Sequence, residues 1–176
     1  METEFEVKIL NINVAEIKRK LKAIGAKKLI ERKMRRYVYD IDPKDKNTWI
    51  RLRDNGEKVT LTIKEIEHEN IDGTKELEIE VDSFDKTNLL LNKLGFFHRA
   101  YQENKRISYK IGNVEVEIDF WPKIPPYLEI EGKSAIRVKS VVKMLGFDLS
   151  QTTSINTEDV YKKYGLNLHD FKELKF

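Results

Sequence analysis

The chain contains no cysteine, which excludes disulfides and thiolate metal sites and makes a cytoplasmic setting the expectation. Histidine is scarce too. His68, His98 and His169 show no metal-ligand spacing and are expected on the surface or in loops. No apolar run approaches the roughly 18 residues needed to cross a membrane, and the acidic opening METEFE lacks the basic and apolar regions of a signal peptide. A charge excess is also missing. Lysine and arginine total 33 against 30 acids, a net charge of +3, so binding of a polyanion cannot rest on overall charge and must come from local arrangement. At 176 residues the chain suits a single domain spanning 1–176 with a full core.

What is present is charged alternation. In Glu4-Phe5-Glu6-Val7-Lys8-Ile9 the ionisable residues occupy every second position, so a strand would put them all on one face. The pattern returns in LTIK, ELEIEV, VEVEID and YLEIE. Strands are expected at 3–10, 27–41, 49–53, 58–64, 75–81, 97–110, 113–121 and 127–131, with hairpin signals at Asp54-Asn55-Gly56 and Gly112-Asn113. Helices are expected over Val14 to Ile24, Phe84 to Leu94, 134–145 and 158–164, the first three closed by Gly25, Gly95 and Gly146. A Glu-x-Glu strand followed by an amphipathic helix and glycine occurs three times, as EFEVK to AIGA, ELEIEV to KLGF and YLEIE to MLGF, which suggests duplicated halves. Eight strands with mostly hairpin connections give an α+β fold: an antiparallel sheet that can close into an eight-stranded barrel with flanking helices. Its apolar residues, among them Val7, Ile50, Leu77, Ile79, Val116 and Ile130, would then meet the helices.

The charged face of such a barrel is its lumen. Cations dominate the strands near 51 and 64, and carboxylates those near 78, 117 and 129, whereas solvated faces would mix the signs. A triphosphate needs several lysines and arginines to accept its oxygens. Carboxylates would repel it, but they hold Mg²⁺ or Mn²⁺, which neutralises both parties. One basic and one acidic wall therefore suit a metal-bound triphosphate. The same charges without a ligand would form internal salt bridges.

The segments EFEVK, WIRLR, LTIK, ELEIEV, NKRISY, VEIDFWP and YLEIEG together resemble the CYTH superfamily over nearly the whole chain. These triphosphate tunnel metalloenzymes include class IV adenylyl cyclases and thiamine triphosphatases. The resemblance implies an eight-stranded antiparallel barrel around a charged tunnel. It matches Glu4, Glu6, Glu129 and Glu131 to metal-binding residues, and Lys8, Arg51, Arg53, Lys64 and Arg106 to triphosphate-binding cations. It matches Asp119 to a residue that holds metal or orients the nucleophile, so that Asp119, Lys8 and Arg106 form the implied catalytic set. It gives no role to Glu76, Glu78, Glu80, Glu115 or Glu117. The chain departs from the family at Asn104, where class IV cyclases tend to carry lysine, and in ERKMRRYVYD, which is more basic than the usual aspartate-containing segment.

The implied reaction is that of a class IV adenylyl cyclase, converting ATP to cyclic AMP and pyrophosphate with Mg²⁺ or Mn²⁺. A triphosphatase acting on thiamine triphosphate, inorganic triphosphate or nucleoside triphosphates is the alternative within the fold, and a non-catalytic polyphosphate binder the alternative outside it. The expected partner is a nucleotide or other triphosphate, with a homodimer left open and neither membrane nor nucleic acid involved. The basic run Arg32-Lys33 and Arg35-Arg36, interleaved with Tyr37 and Tyr39, is read as solvated or as lying at the tunnel mouth. Trp49 and Trp121 are expected to pack.

Overall fold

The computed structural model describes all 176 residues. Its strands are β1 (Glu2–Ile9), β2 (Lys27–Asp40), β3 (Thr48–Asp54), β4 (Val59–Ile66), β5 (Thr74–Val81), β6 (His98–Ile111), β7 (Val114–Phe120) and β8 (Tyr127–Gly132), with a short β9 (Glu173–Leu174). The order β2-β3-β4-β5-β1-β8-β7-β6 is closed by antiparallel pairing of β2 with β6, and β9 adds to β6 in parallel. The result is an eight-stranded antiparallel barrel. Four helices surround it: α1 (Val14–Ala23), α2 (Phe84–Lys93), α3 (Ala135–Met144) and α4 (Thr157–Lys163). None of them is long and apolar enough to cross a membrane.

Alternation along each strand sends one set of side chains outward to the helices and the other into the lumen. The outward residues of β1, β7 and β8, including Val7, Val116, Ile118, Leu128 and Ile130, pack with Ile17 and Leu21 of α1 and with Val138 and Val142 of α3. On the other side, Tyr39, Ile50 and Leu52 meet Phe84 and Leu91 of α2. One expectation fails here. Leu77 and Ile79 on β5 were assigned to a helix-covered face, but they are 52% and 54% exposed, because α1 and α3 cover the first patch and α2 packs over β3.

The repeat read in the sequence has a topological counterpart. Exchanging β1–β4 for β5–β8 leaves the neighbour order unchanged, and α1 and α2 follow equivalent strands. Both helices end on glycines in the left-handed region, Gly25 at φ 74° and Gly95 at φ 93°, where a side chain would be strained. In this pseudo-two-fold arrangement Arg36 of β2 corresponds to Arg106 of β6, since Arg36 lies opposite Gln102 as Arg106 lies opposite Arg32.

The last two dozen residues pack against one end of the barrel. Val160, Tyr161 and Leu168 pack on Trp121, Ile124 and Tyr127. The Tyr161 hydroxyl donates to the Pro122 carbonyl at 2.7 Å. Backbone bonds between Lys8 and Thr153, of 2.7 and 2.9 Å, fasten this segment to β1.

Candidate active site

Going round the barrel, the lumen divides into two halves of opposite charge. β6, β2, β3 and β4 contribute Arg106, Arg36, Arg51, Arg53 and Lys64, while β5, β1, β8 and β7 contribute most of the carboxylates. Register fixes these neighbours: Glu6 lies opposite Glu131, Lys8 opposite Glu129, Glu117 opposite Glu129, and Asp119 opposite Arg106. The ends of the lumen differ as well. A cavity of about 120 Å³ is lined by eight lysines and arginines against Glu6, Glu129 and Glu158. At the opposite end the lining includes Glu2, Glu4, Glu76, Glu78, Glu115 and Glu131, with Lys133 the one cation.

Ion pairs join the halves. Lys8 pairs with Glu6 and, at 3.3 Å, with Glu129. Lys64 reaches Glu76 and, at 3.1 Å, Glu4. Arg51 and Arg53 share Glu78 at 3.3 and 3.5 Å, and Glu78 also accepts a bond from Thr62 Oγ1 at 2.7 Å. Arg106 grips Asp119 with two nitrogens, Nε at 2.8 Å and Nη2 at 2.6 Å, and contacts Glu117 and Glu129. Burial pulls the Lys8 ammonium down, but the Glu6 and Glu129 carboxylates outweigh it and hold Lys8 well above its ordinary value. For Glu129, burial opposes ionisation, and Lys8 and Arg106 overcome it, leaving the carboxyl far below the usual range. Burial likewise pushes Asp119 up while the Arg106 guanidinium opposes it.

The carboxylates are close enough to share a cation. Single oxygens of Glu6, Glu129 and Glu131 lie within 4.8 Å of one another, as do those of Glu117, Asp119 and Glu129. The first set fits a hard divalent ion, because it is oxygen-only and its third member, Glu131, has no cation in contact, whereas Lys8 pairs with Glu6 and Glu129. Burial, followed by the neighbouring Glu4, Glu129 and Glu6, pushes Glu131 up to about 7. In the second set Arg106 already contacts all three carboxylates, so a guanidinium occupies that position.

The basic half is crowded in the mirror sense. The Arg51 charge and burial push Arg53 down to about 9, and burial with Arg51 also lowers Lys64. These groups raise the local affinity for anions. All the residues matched to metal or triphosphate in the sequence therefore face the lumen. Glu6, Lys8, Arg51, Arg53, Lys64, Arg106 and Glu129 line the cation-rich cavity; Glu4 and Glu131 line the acidic end, and Asp119 is fully buried beside Arg106.

The sequence places Arg36 only in a run that is solvated or at the tunnel mouth; it is 8% exposed and lines the cation-rich cavity. The alternation Met34, Arg36, Val38 against Tyr37 and Tyr39 carried the signal, but basic residues on both faces of the segment masked it. Trp121 does pack, under the Arg36 guanidinium at 4.6 Å and edge-on to Tyr161. Trp49 lines the cavity. The C-terminal segment adds Asn156, Thr157 and Glu158, and Glu158 accepts from His169 at 2.7 Å.

The CYTH domain family matches residues 2–152. A protein of Methanocaldococcus jannaschii named "Putative adenylate cyclase MJ0240" is 26% identical over 174 residues, covering 96% of this chain and 98% of that one. The structure of the Pyrococcus horikoshii protein PH1012 superposes with a TM-score of 0.75 at 25% identity, covering 87% of this chain and 96% of the other. A Hippeastrum protein named "Putative adenylyl cyclase HpAC1", whose structure is described as revealing a dominant triphosphatase activity, superposes at 0.60 with 15% identity, covering 97% of this chain and all of that one; this likeness concerns the fold.

Proposed function

The chain belongs to the CYTH family, and from that premise we propose that it is a divalent-metal-dependent enzyme acting on triphosphates, with ATP cyclisation to cyclic AMP and pyrophosphate as its reaction. The observation that carries this reading is the exchangeable pairing of the two halves. Lumen carboxylates suited to a metal are now engaged by cations suited to phosphate, as in Lys64 with Glu4 and Lys8 with Glu6. A metal-bound triphosphate offers each half a replacement partner, so opening these pairs leaves no buried charge unmatched.

In this reading Glu6, Glu129 and Glu131, with Glu4 beside them, hold Mg²⁺ or Mn²⁺. The ion supplies charge neutralisation and polarisation at phosphorus. Arg51, Arg53 and Lys64 bind the triphosphate oxygens and fix its direction along the lumen. Lys8 and Arg106 face the charge that builds as the ribose 3′-oxygen bonds to the α-phosphorus and pyrophosphate departs. Asp119, held in place by Arg106, orients the attacking group. The relative from Methanocaldococcus jannaschii supports the choice of cyclisation through its name and its near full-length match.

Product identification tests this directly. Incubation with ATP, thiamine triphosphate and tripolyphosphate, each with Mg²⁺ and with Mn²⁺, should give cyclic AMP and pyrophosphate from ATP. Release of orthophosphate with ADP would make the protein a triphosphatase. Tight binding of tripolyphosphate without turnover would make it a binder.

A further inference from the structure

Arg36 differs from every other cation inside the barrel. Lys8, Arg51, Arg53, Lys64 and Arg106 each have at least one carboxylate partner, and Arg36 has none. Its Nη2 donates instead to the neutral Asn104 Oδ1 at 2.6 Å and its face lies on Trp121; its Nε is buried without a partner, as are those of Arg51 and Arg53. Burial and the nearby charges of Arg51, Arg53 and Arg106 outweigh the favourable field of Asp119 and push its pKa down to about 9, which still leaves it charged at neutral pH. A guanidinium this buried and unmatched is costly unless an anion joins it.

The pseudo-two-fold arrangement sharpens the contrast. Arg106, the counterpart of Arg36, rests against Glu117, Asp119 and Glu129. The positions equivalent by register in the other half are Arg51, Arg53 and Thr62. The same backbone site thus carries a satisfied arginine in one half and, in the other, an arginine with no carboxylate in direct contact, separated from Asp119 by Asn104. Asn104 bridges them, accepting from Arg36 and donating to Asp119 at 3.2 Å.

We propose that Arg36 is a phosphate-binding residue of the triphosphate site, aimed by Asn104 and Trp121, and that it takes a phosphoryl oxygen at the cation-rich end of the lumen. Unlike its neighbours it gives up no ion pair on doing so. The proposal rests on the triphosphate reading of the lumen and adds to it a residue of β2, the one strand of the basic half from which the sequence comparison took no contact.

The test is calorimetric titration of tripolyphosphate in the presence of Mn²⁺, with Mn²⁺ alone titrated separately. Arg36→Met keeps the stem over Trp121 and removes the charge; it should weaken tripolyphosphate by about tenfold or more, the loss of a charge-assisted bond, with Mn²⁺ binding unchanged. Arg36→Lys keeps the charge and should lose less. Unchanged tripolyphosphate affinity in Arg36→Met, equal losses in the two variants, or a lowered ligand-free melting temperature with wild-type affinity would each overturn the assignment. Wild-type protein that fails to bind tripolyphosphate would overturn the function proposed above as well, whereas wild-type binding that Arg36→Met retains sinks this inference alone.

Discussion

Glu131 offers a quantitative check on the crowded acidic half. Its carboxyl titrates near 7 in the folded protein because burial and the charges of Glu4, Glu129 and Glu6 disfavour ionisation; in the unfolded chain it should titrate near the ordinary glutamate value of about 4.3. The folded value is the higher one, so folding favours the protonated form. The associated stability is fully present below about pH 4, declines as pH rises through 7, and is absent above. At about 1.4 kcal/mol per pKa unit the loss amounts to at most about 4 kcal/mol. For a domain of this size that is about 8–16 °C in melting temperature. The measurement is the difference between wild type and Glu131→Gln, without metal, from pH 5 to pH 8. Glutamine cannot ionise, so wild type should lose stability relative to the variant as pH rises, and other titrating groups cancel in the difference. Saturating Mn²⁺ should narrow the gap at pH 8, and wild-type Mn²⁺ affinity should climb between pH 6 and 8 as proton release becomes easier. A difference that stays constant across this range would show that the carboxylates are not crowded as the lumen geometry requires.

Three other outcomes follow from the same lumen. Glu6→Gln should weaken Mn²⁺ by about tenfold or more with partial recovery of activity in excess metal, while Arg53→Ala should raise the triphosphate KM by a similar factor and leave Mn²⁺ affinity intact; identical calorimetric profiles would contradict the division into halves. Tripolyphosphate with Mn²⁺ at a hundredfold excess over its Kd should stabilise the fold by about 2.7 kcal/mol, seen as a melting shift of about 5–10 °C, and orthophosphate with the same metal should do much less. On the outer face, Ile79→Thr should change stability by less than about 0.5 kcal/mol, because Ile79 is 54% exposed. Val116→Ala should cost several times more, since Val116 is fully buried under α3, and near-equal losses in a urea titration would refute the assignment of faces.

The sequence was most readable where chemistry and period coincide. Charged alternation in β1, β5, β7 and β8 identified both the strands and the side of each that faces the lumen, and the glycines after α1 and α2 marked their ends. Period alone could not say which outer faces a helix covers. Leu77 and Ile79 have the same pattern as Val116 and Ile118, and only the placement of three helices around eight strands separates them. Arg36 was obscured for a different reason. β2 has 14 residues and carries Arg35 outward over Phe84 and Arg36 inward over Trp121, so cations on both faces erase the alternation. The cap formed by α4 and the residues after it depends on contacts such as Tyr161 with Trp121, which no local pattern records.

An empty lumen with this many charges can be stable and still bind, and the pairing pattern shows how. Buried ion pairs return roughly what their desolvation costs, so exchanging a protein partner for a ligand partner changes the balance little, whereas an unmatched buried charge is expensive. Lys8, Lys64, Arg51, Arg53 and Arg106 all follow the first course. Two groups do not. Glu131, on the acidic half, has no cation in salt-bridge contact and is pushed toward its neutral form; Arg36, on the basic half, has no carboxylate and is pushed in the corresponding direction. One lines the acidic end of the lumen and the other the cation-rich end. Under the function proposed above, binding gains most at these two points, where a cation would relieve Glu131 and an anion Arg36, and a metal-bound polyphosphate would relieve both by lying along the lumen between them.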